Sequence, residues 1–227
     1  MKNLLFPIVL IALFLMSCEP SEIQQGEIKY EITYPYSNLS GIMGVVLPKK
    51  MTVKFKGDKM IASIENGKFF RTDILSENNK KNLKMRLDFG SEKIETDLTP
   101  KDLEKLANSQ PNYTTKLTTS GDTVAGLTAD YYLAKSDNEQ IGEFKCAFSN
   151  NLSVKNTEWF SSYIGTKGIP LIYIIERYGV VMQLRAVRFR SREIADEEFD
   201  TKKSFKTVSY NAYEKSVSEL FQLITEE

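Results

Sequence analysis

The chain has 227 residues, and its 30 lysine and arginine residues are balanced by 30 aspartate and glutamate residues. This zero formal charge disfavours nucleic acid as a partner, because binding to phosphate backbones usually depends on a basic surface. The chain contains no histidine, which is the most frequent general base and metal ligand, and only two cysteines, Cys18 and Cys146. We therefore expect no catalytic residue, no metal site and no cofactor.

The first segment predicts a secretory signal that ends in a lipid-modified cysteine. After Lys2, residues 4–16 are almost wholly apolar. Thirteen helical residues span only about 20 Å, which is too short for a bilayer core. The segment Leu15–Cys18 then resembles the lipobox of bacterial lipoproteins, in which the cysteine sulfur is acylated, for example with palmitate. We predict a signal peptide over residues 1–17 and lipidation of Cys18; the alternative is an ordinary signal peptide with an accidental cysteine.

Residues 18–25 are polar and lack apolar periodicity, so we interpret them as a lipidated tether. Two or three acyl chains on one residue anchor a protein stably, which makes the membrane its first expected partner. Only Glu19 and Glu22 are acidic in the tether, a weak signal for export to the cell surface. We expect a cell-envelope protein in the outer membrane facing the periplasm, with surface exposure as the alternative. Residues 26–227 have a length suited to one domain.

Alternating apolar residues dominate residues 26–227 and predict about eleven short antiparallel strands. The clearest signal is a hairpin, in which Met51, Val53 and Phe55 share a face, Gly57 turns the chain and the pattern repeats over residues 60–64. The other predicted strands cover residues 28–34, 68–75, 83–89, 92–98, 113–118, 123–127, 129–135, 142–149, 172–178 and 180–190. This pattern favours a mainly β (α+β) fold built on a large curved sheet or half-barrel.

Three helices are predicted beside the strands. The first begins after the N-cap Thr99, has Pro100 at its first position and ends near residue 108. A shorter helix is predicted over about 156–163. The last covers about 211–224, with an apolar stripe formed by Tyr213, Val217, Leu220, Phe221 and Ile224. We expect this stripe to pack onto the sheet rather than lie on a membrane, because the opposite face has no excess of basic residues.

Short motifs in the domain resemble those of a known family. They are Gly-x-Ile-x-Tyr at 26–30, Val-Ala-Gly-Leu-x-Ala-x-x-Tyr at 124–132, a segment with the single Trp159, and Lys-Gly-Ile-Pro-Leu at 167–171. Together they resemble Bacteroidetes envelope lipoproteins with a GLPGLI-related or DUF4412-like domain. The resemblance implies a LolA/LolB-like fold, an incomplete antiparallel barrel whose helices plug an apolar concavity. It implies no catalytic residue, and Ala129 stands where those families often have cysteine.

Two groups of residues are candidates for ligand binding. Trp159, Phe160 and Tyr163 cluster in a strand-poor stretch and could form a mobile lid over a cavity, or a segment that packs into the core. Arg188 and Arg190 belong to a basic stretch that could bind an anionic headgroup, because guanidinium groups match phosphate well. The alternative for these arginines is a solvated strand face that pairs with nearby glutamates.

Three other features have a functional and a structural interpretation. Thr123 lies in a short Asp-Thr-apolar sequence that resembles an O-glycosylation acceptor of Bacteroidetes, or it simply enters a strand. Cys146 lies on an aromatic strand face and is interpreted as a small buried hydrophobe rather than a reactive thiol. Asp130, Glu158 and Glu176 could pair as hydrolase carboxylates, but acidic residues are common on strands and sequence does not give their separation.

The sequence supports two hypotheses about function. The first is a non-enzymatic, membrane-tethered lipoprotein that binds an acyl chain or another apolar ligand on the concave face of its sheet. The second is an envelope scaffold or assembly partner whose concavity is filled by its own helices, with another envelope protein as its partner. A carboxylate-based hydrolase is the third and least supported class.

Overall fold

The computed structural model of the chain describes residues 23–37, 45–67, 70–200 and 204–225, apart from the side chains of 158 and 223–225. The predicted signal peptide over 1–17, the lipidation site Cys18 and most of the tether over 18–25 lie outside these ranges. Every named strand and helix falls between Gln25 and Thr225.

Thirteen strands and two α-helices are described. The helices are α1 (Pro100–Asn108) and α2 (Tyr210–Thr225). The strands are β1 (Gln25–Thr33), β2 (Lys50–Lys56), β3 (Lys59–Asn66), β4 (Phe70–Glu77), β5 (Asn82–Phe89), β6 (Glu92–Asp97), β7 (Tyr113–Val124), β8 (Leu127–Ser136), β9 (Glu143–Ser149), β10 (Tyr163–Ile164), β11 (Ile169–Arg177), β12 (Val180–Arg190) and β13 (Lys206–Thr207).

All thirteen described strands belong to one open, curved sheet. Its order is β10-β7-β8-β9-β11-β12-β1-β2-β3-β4-β5-β6-β13. This architecture confirms the predicted mainly β half-barrel and is consistent with a LolA/LolB-like fold. The sheet is mainly antiparallel, as predicted, and the exceptions lie at its two ends, where β10 pairs with β7 and β13 pairs with β6 in parallel. Each of these edge strands has two residues, too few to produce a periodic sequence signal.

Two predicted segments form different elements in the structure. The separate strands predicted over 113–118 and 123–127 are one strand, β7, which continues past irregular pairing around Gly121. The turn that ends it lies instead at Ala125 and Gly126, both of which have positive φ. Tyr163, predicted within a helix, lies in strand β10, and only a 3-10 turn over Thr157–Phe160 precedes it.

The main core lies on the concave side of the sheet, where the helices pack. Ile28 and Tyr30 on β1 are almost completely buried, as their alternation predicts.

The first helix, α1, has the predicted cap, because Thr99 and Asp102 form a capping box. On α2, the stripe of Tyr213, Val217, Leu220 and Phe221 is buried, which confirms packing onto the sheet; the side chain of Ile224 is outside the described set. Within the described ranges, no helix is long and apolar enough to cross a membrane.

A smaller apolar cluster covers part of the convex side. Ile61 points away from the concave face and packs with Ile194 and Phe199, which lie in the segment after β12. Beside it, Arg192 forms ion pairs with Glu27 and Glu198 at 2.9 and 2.8 Å. This cluster fixes the chain on its way from β12 to α2.

Candidate functional site

A cavity of about 320 Å³ lies between the concave face of the sheet, helix α2 and the segment before β11. Its walls are mainly apolar and aromatic. Its apolar and aromatic lining residues include Ile64, Phe70, Ile74, Leu83, Met85, Tyr113, Phe148, Phe160, Tyr163, Tyr173, Ile175, Tyr178, Met182, Tyr213, Val217 and Phe221. The volume is at the lower end of the range typical of small-molecule sites, about 300–1,000 Å³.

Tyr163 forms part of the cavity wall and is held on several sides. Its hydroxyl group donates a hydrogen bond to the carbonyl oxygen of Ile174 at 2.8 Å and accepts one from the Ile174 amide at 2.7 Å. Its ring stacks on Tyr113, with 4.6 Å between centroids, and meets Phe148 edge-on. These contacts are those of a side chain packed into the protein.

Trp159 and Phe160 differ in how they meet the cavity. Phe160 lines it, whereas Trp159 packs against the main core and is not a lining residue. The indole of Trp159 donates a hydrogen bond to the side-chain oxygen of Asn78 at 3.0 Å, and the Asn78 amide donates to the carbonyl of Lys155 at 3.0 Å. Trp159 therefore ties the aromatic segment to the loop between β4 and β5, and Phe160 is positioned by that attachment.

One partly buried ion pair lies at the cavity wall. The guanidinium of Arg177 donates to the Glu214 carboxylate at 2.5 Å, and the hydroxyl of Tyr178 donates to the same oxygen at 3.1 Å. Arg177 also lies over the Tyr178 ring. The positive charge of Arg177 is thus already balanced within the protein, in a setting where an unpaired charge would be costly.

Two polar groups elsewhere in the wall are less completely satisfied. Glu176 accepts a hydrogen bond from the side-chain amide of Asn138 at 2.8 Å. The hydroxyl of Tyr113 is buried and has no hydrogen-bond partner among the residues that the structure describes. Burial raises the pKa of Tyr113, and the negative charges of Glu176 and Asp137 raise this pKa further, so the hydroxyl stays protonated.

Arg188 and Arg190 do not join this site. Phe189, which lies between them on β12, is paired with the core residue Ile28, so both arginines point to the opposite, exposed face of the strand. The basic stretch and the aromatic segment are therefore on different sides of the sheet. Thr123 does not line the cavity and is exposed near the end of β7.

The remaining candidate groups occupy separate environments. Cys146 is fully buried, and burial raises the pKa of its thiol to about 12, which is the setting of an unreactive apolar side chain. Asp130 accepts a hydrogen bond from Asn150 and does not line the cavity that contains Glu176, while the side chain of Glu158 is outside the described set. Across the described ranges, no group of three or more acidic or cysteine residues is placed to hold a metal ion.

The sequence analysis did not predict the burial of Tyr113 or the ion pair between Arg177 and Glu214. Tyr113 starts a strand that is otherwise largely exposed, so the residue pattern along this strand does not predict that Tyr113 is buried. Arg177 and Glu214 are 37 residues apart. Only the packing of α2 against β11 brings them together, and no short motif encodes that contact.

Comparison with known proteins supports the fold alone. No protein-family model matches the chain, and no curated protein matches it. Two solved structures of PNGF-II are similar over 86% of this chain: one in space group P21 with 13% identity and a TM-score of 0.51, and one in C2 with 14% identity and a TM-score of 0.52. The match covers 33% and 32% of those chains, so this chain spans about a third of their length.

Proposed function

We propose that this protein is a membrane-tethered lipoprotein of the cell envelope that binds an acyl chain or a similar apolar ligand, without catalysing a reaction. The observation that carries the proposal is the apolar cavity of about 320 Å³ that remains on the concave face after α2 has packed there. Burial of an acyl chain in such a cavity contributes about 0.8 kcal/mol per methylene group before the costs of association. A few polar groups are enough to orient the ligand.

The proposed lipid on Cys18 would keep this cavity close to a membrane. A tether of a few residues holds the domain close to the bilayer surface, where apolar ligands are concentrated. The resemblance to envelope lipoproteins with a GLPGLI-related or DUF4412-like domain supports the same location. We place the protein in the outer membrane, facing the periplasm.

The polar groups of the cavity are better suited to orienting a ligand than to catalysing a reaction. Arg177 and Glu214 neutralise each other, and Tyr178 donates to the same carboxylate. The hydroxyl of Tyr163 is committed to the backbone of Ile174. Groups held in this way can contact a ligand, but they are not poised to donate or remove a proton in a reaction.

The proposal is tested with the form that begins at Ser21, which keeps every described strand and helix. Native mass spectrometry should detect a co-purified lipid, and the neutral dye N-phenyl-1-naphthylamine should gain fluorescence on binding. Ile74→Trp and Thr72→Trp, both in the cavity wall, should abolish dye binding. The control Val187→Trp, at an exposed position on the convex side, should not. Absence of lipid and dye from a cooperatively folded wild-type protein would refute the proposal.

The scaffold hypothesis is supported by a different feature, the open edge of the sheet. Strand β7 pairs with β10 only at Tyr113 and Thr114, and Leu117 beyond them is 52% exposed. An unpaired edge of this kind can accept a strand from another protein. If this is the function, Leu117→Lys should remove a partner that crosslinks to this edge in cells, and the cavity of the wild type should bind no dye.

A further inference from the structure

A surface rich in cations covers the convex side of the three adjacent strands β12, β1 and β2. Along β1, residues 27, 29 and 31 alternate with buried core residues, so they point to the convex side. The residues paired with them on the two neighbouring strands point the same way. The basic face, as we name this surface, consists of Glu27, Lys29, Glu31, Lys50, Thr52, Lys54, Arg185, Arg188 and Arg190. Its six cations outnumber its two carboxylates.

Most of these cations are not neutralised within the protein. In the described part of the chain, four of them form neither an ion pair nor a side-chain hydrogen bond: Lys50, Arg185, Arg188 and Arg190. Glu27 is paired with Arg192 at 2.9 Å, and Glu198 is paired with Arg192 and Lys54 at 2.8 and 2.9 Å. The carboxylates close to the basic face are thus mostly bound elsewhere, and the exposed Glu193 and Glu197 lie beyond the end of β12.

Two cations of the basic face lie directly opposite each other. Lys29 on β1 pairs with Arg188 on β12, and both side chains are exposed. Like charges at facing positions destabilise a sheet. Val187, which the irregular pairing beside Arg188 leaves without a partner residue, is also 45% exposed. An anionic surface placed against these strands would offset the repulsion between Lys29 and Arg188.

The predicted tether brings a bilayer close to the basic face. Ile23 is fixed to the domain by a bridge to Leu152, and its carbonyl accepts a hydrogen bond from the Ser153 amide at 2.9 Å. Four residues separate Ile23 from Cys18, so the proposed lipid lies at most about 18 Å away. Strand β1, the central strand of the basic face, begins two residues after Ile23, at Gln25.

The shape of the basic face also fits a bilayer. None of its residues lines the described cavity on the concave side. It is an open sheet surface on which several exposed cations lie side by side, so it can contact many headgroups at once rather than enclose one phosphate.

We infer that the basic face lies against the anionic headgroups of the bilayer that holds the proposed lipid. The choice of a bilayer rests on the lipid anchor of the proposed function, whereas the basic face is separate from the ligand cavity. Each lysine or arginine near an anionic membrane strengthens binding about fivefold. Because acyl chains on Cys18 would already anchor the protein, the basic face determines how the domain is oriented on the membrane.

The test uses the form that begins at Ser21, which carries no lipid and therefore reports on the basic face alone. It is sedimented with phosphatidylcholine vesicles that contain or lack phosphatidylglycerol. The protein should bind only the vesicles with phosphatidylglycerol, and added salt should weaken this binding because it screens exposed charges. No binding to these vesicles, or equal binding to both kinds, would overturn the inference.

A pair of double variants assigns the binding to the basic face. Arg185→Gln with Arg188→Gln removes two of its cations and should weaken vesicle binding by at least about tenfold. The thermal midpoint of this variant should not fall, because the repulsion between Arg188 and Lys29 is removed. The control, Lys116→Gln with Lys135→Gln, removes two exposed cations from β7 and β8 and should bind like the wild type. Equal losses in the two double variants would show a response to net charge alone and would overturn the inference.

Two further measurements identify the source of the negative charge. Glycerol phosphate should displace the protein from vesicles no better than sodium chloride of equal ionic strength. Specific displacement would show a discrete phosphate site instead of a membrane surface. A photo-crosslinking residue at position 187 of the full-length chain should label lipid in cells, and a crosslink to an acidic protein there would overturn the inference.

These outcomes are distinct from those that test the proposed function. Dye binding reports on the cavity, and metabolic labelling of Cys18 reports on the anchor. Vesicle binding by the form without lipid reports on the basic face. Loss of vesicle binding with intact dye binding and labelling would refute only this inference.

Discussion

The hydroxyl group of Tyr163 completes the hydrogen bonding of Ile174 where two strands separate. Strand β9 pairs with β11 only from Ile169 to Ile172, so Ile174 has no β9 partner on that side. The Tyr163 hydroxyl donates to the Ile174 carbonyl and accepts from its amide. One side chain thus satisfies a backbone edge and forms part of the cavity wall.

We predict that Tyr163→Phe destabilises the domain by about 2–4 kcal/mol, because it leaves a buried amide and a buried carbonyl without partners. Urea unfolding of the form that begins at Ser21 measures this change. Tyr36→Phe removes a hydroxyl that bonds a backbone carbonyl from a side chain that is 55% exposed, and should cost less than about 1 kcal/mol. Similar losses for the two variants would contradict the bridging role of Tyr163.

Gly168 lies where the backbone approaches its neighbour too closely for a side chain. It has a φ of +87°, and a Cβ atom there would overlap the carbonyl of Ser149. Gly121 has a similar φ of +78°, but a Cβ atom would meet nothing. We predict that Gly121→Ala costs about 1–2 kcal/mol from backbone strain alone, and that Gly168→Ala costs at least about 2 kcal/mol more. Thermal unfolding of both variants tests the difference, and equal costs would show that the contact with Ser149 relaxes.

The elements that the sequence predicts well are those with a local signal. The β2–β3 hairpin and the stripe on α2 are periodic over many residues, and Thr99 with Asp102 forms a cap that can be recognised from four residues. The sequence predicts a helix around Trp159, whereas the structure has a 3-10 turn over Thr157–Phe160 and a two-residue strand at Tyr163–Ile164. Gly165 and Gly168, both with positive φ, follow that strand.

The candidate site is less predictable because it is assembled from distant parts of the chain. Tyr113, Glu176 and Phe221 line one cavity, although they lie on β7, β11 and α2. Sequence periodicity indicates which face of an element is apolar, but not which faces meet. It also cannot distinguish a residue buried by a neighbour, such as Ile61 on the convex side, from one that faces a cavity.

Leu220 lies in the buried stripe of α2 and is 5% exposed. We predict that Leu220→Asp destabilises the domain by several kcal/mol, because it buries an unpaired carboxylate, a large part of a typical stability of about 5–15 kcal/mol. Ala212→Asp adds the same charge at an exposed position on the same helix and should have little effect. The measurement is thermal unfolding of the form that begins at Ser21. An unchanged midpoint for Leu220→Asp would mean that α2 does not pack onto the sheet in solution.

The ion pairs of Glu198 on the convex side make a contribution to stability that depends on pH. Hydrogen bonds from Arg192, and then from Lys54, hold the pKa of Glu198 well below its usual range. Because the folded-state pKa is lowered, the contribution to stability is present above the unfolded-state pKa of about 4.3 and is lost as pH falls below it. We predict that Glu198→Gln lowers stability at pH 7 and reduces the loss between pH 5 and pH 3. Glu197→Gln, at an exposed neighbour, should keep the wild-type profile; identical profiles for both variants would contradict this assignment.

Cys18 is the position on which the proposed location depends. Acylation requires the cysteine sulfur, and Ser17 and Cys18 complete the only lipobox-like sequence in the chain. We predict that Cys18→Ser abolishes metabolic labelling with a palmitate analogue and releases the protein from the membrane fraction. Cys146→Ser is the matched control, because this thiol is fully buried and its loss should leave labelling unchanged. Equal labelling of the wild type and Cys18→Ser would show that the lipobox interpretation is wrong. The cavity would then have to obtain its ligand from solution rather than from an adjacent bilayer.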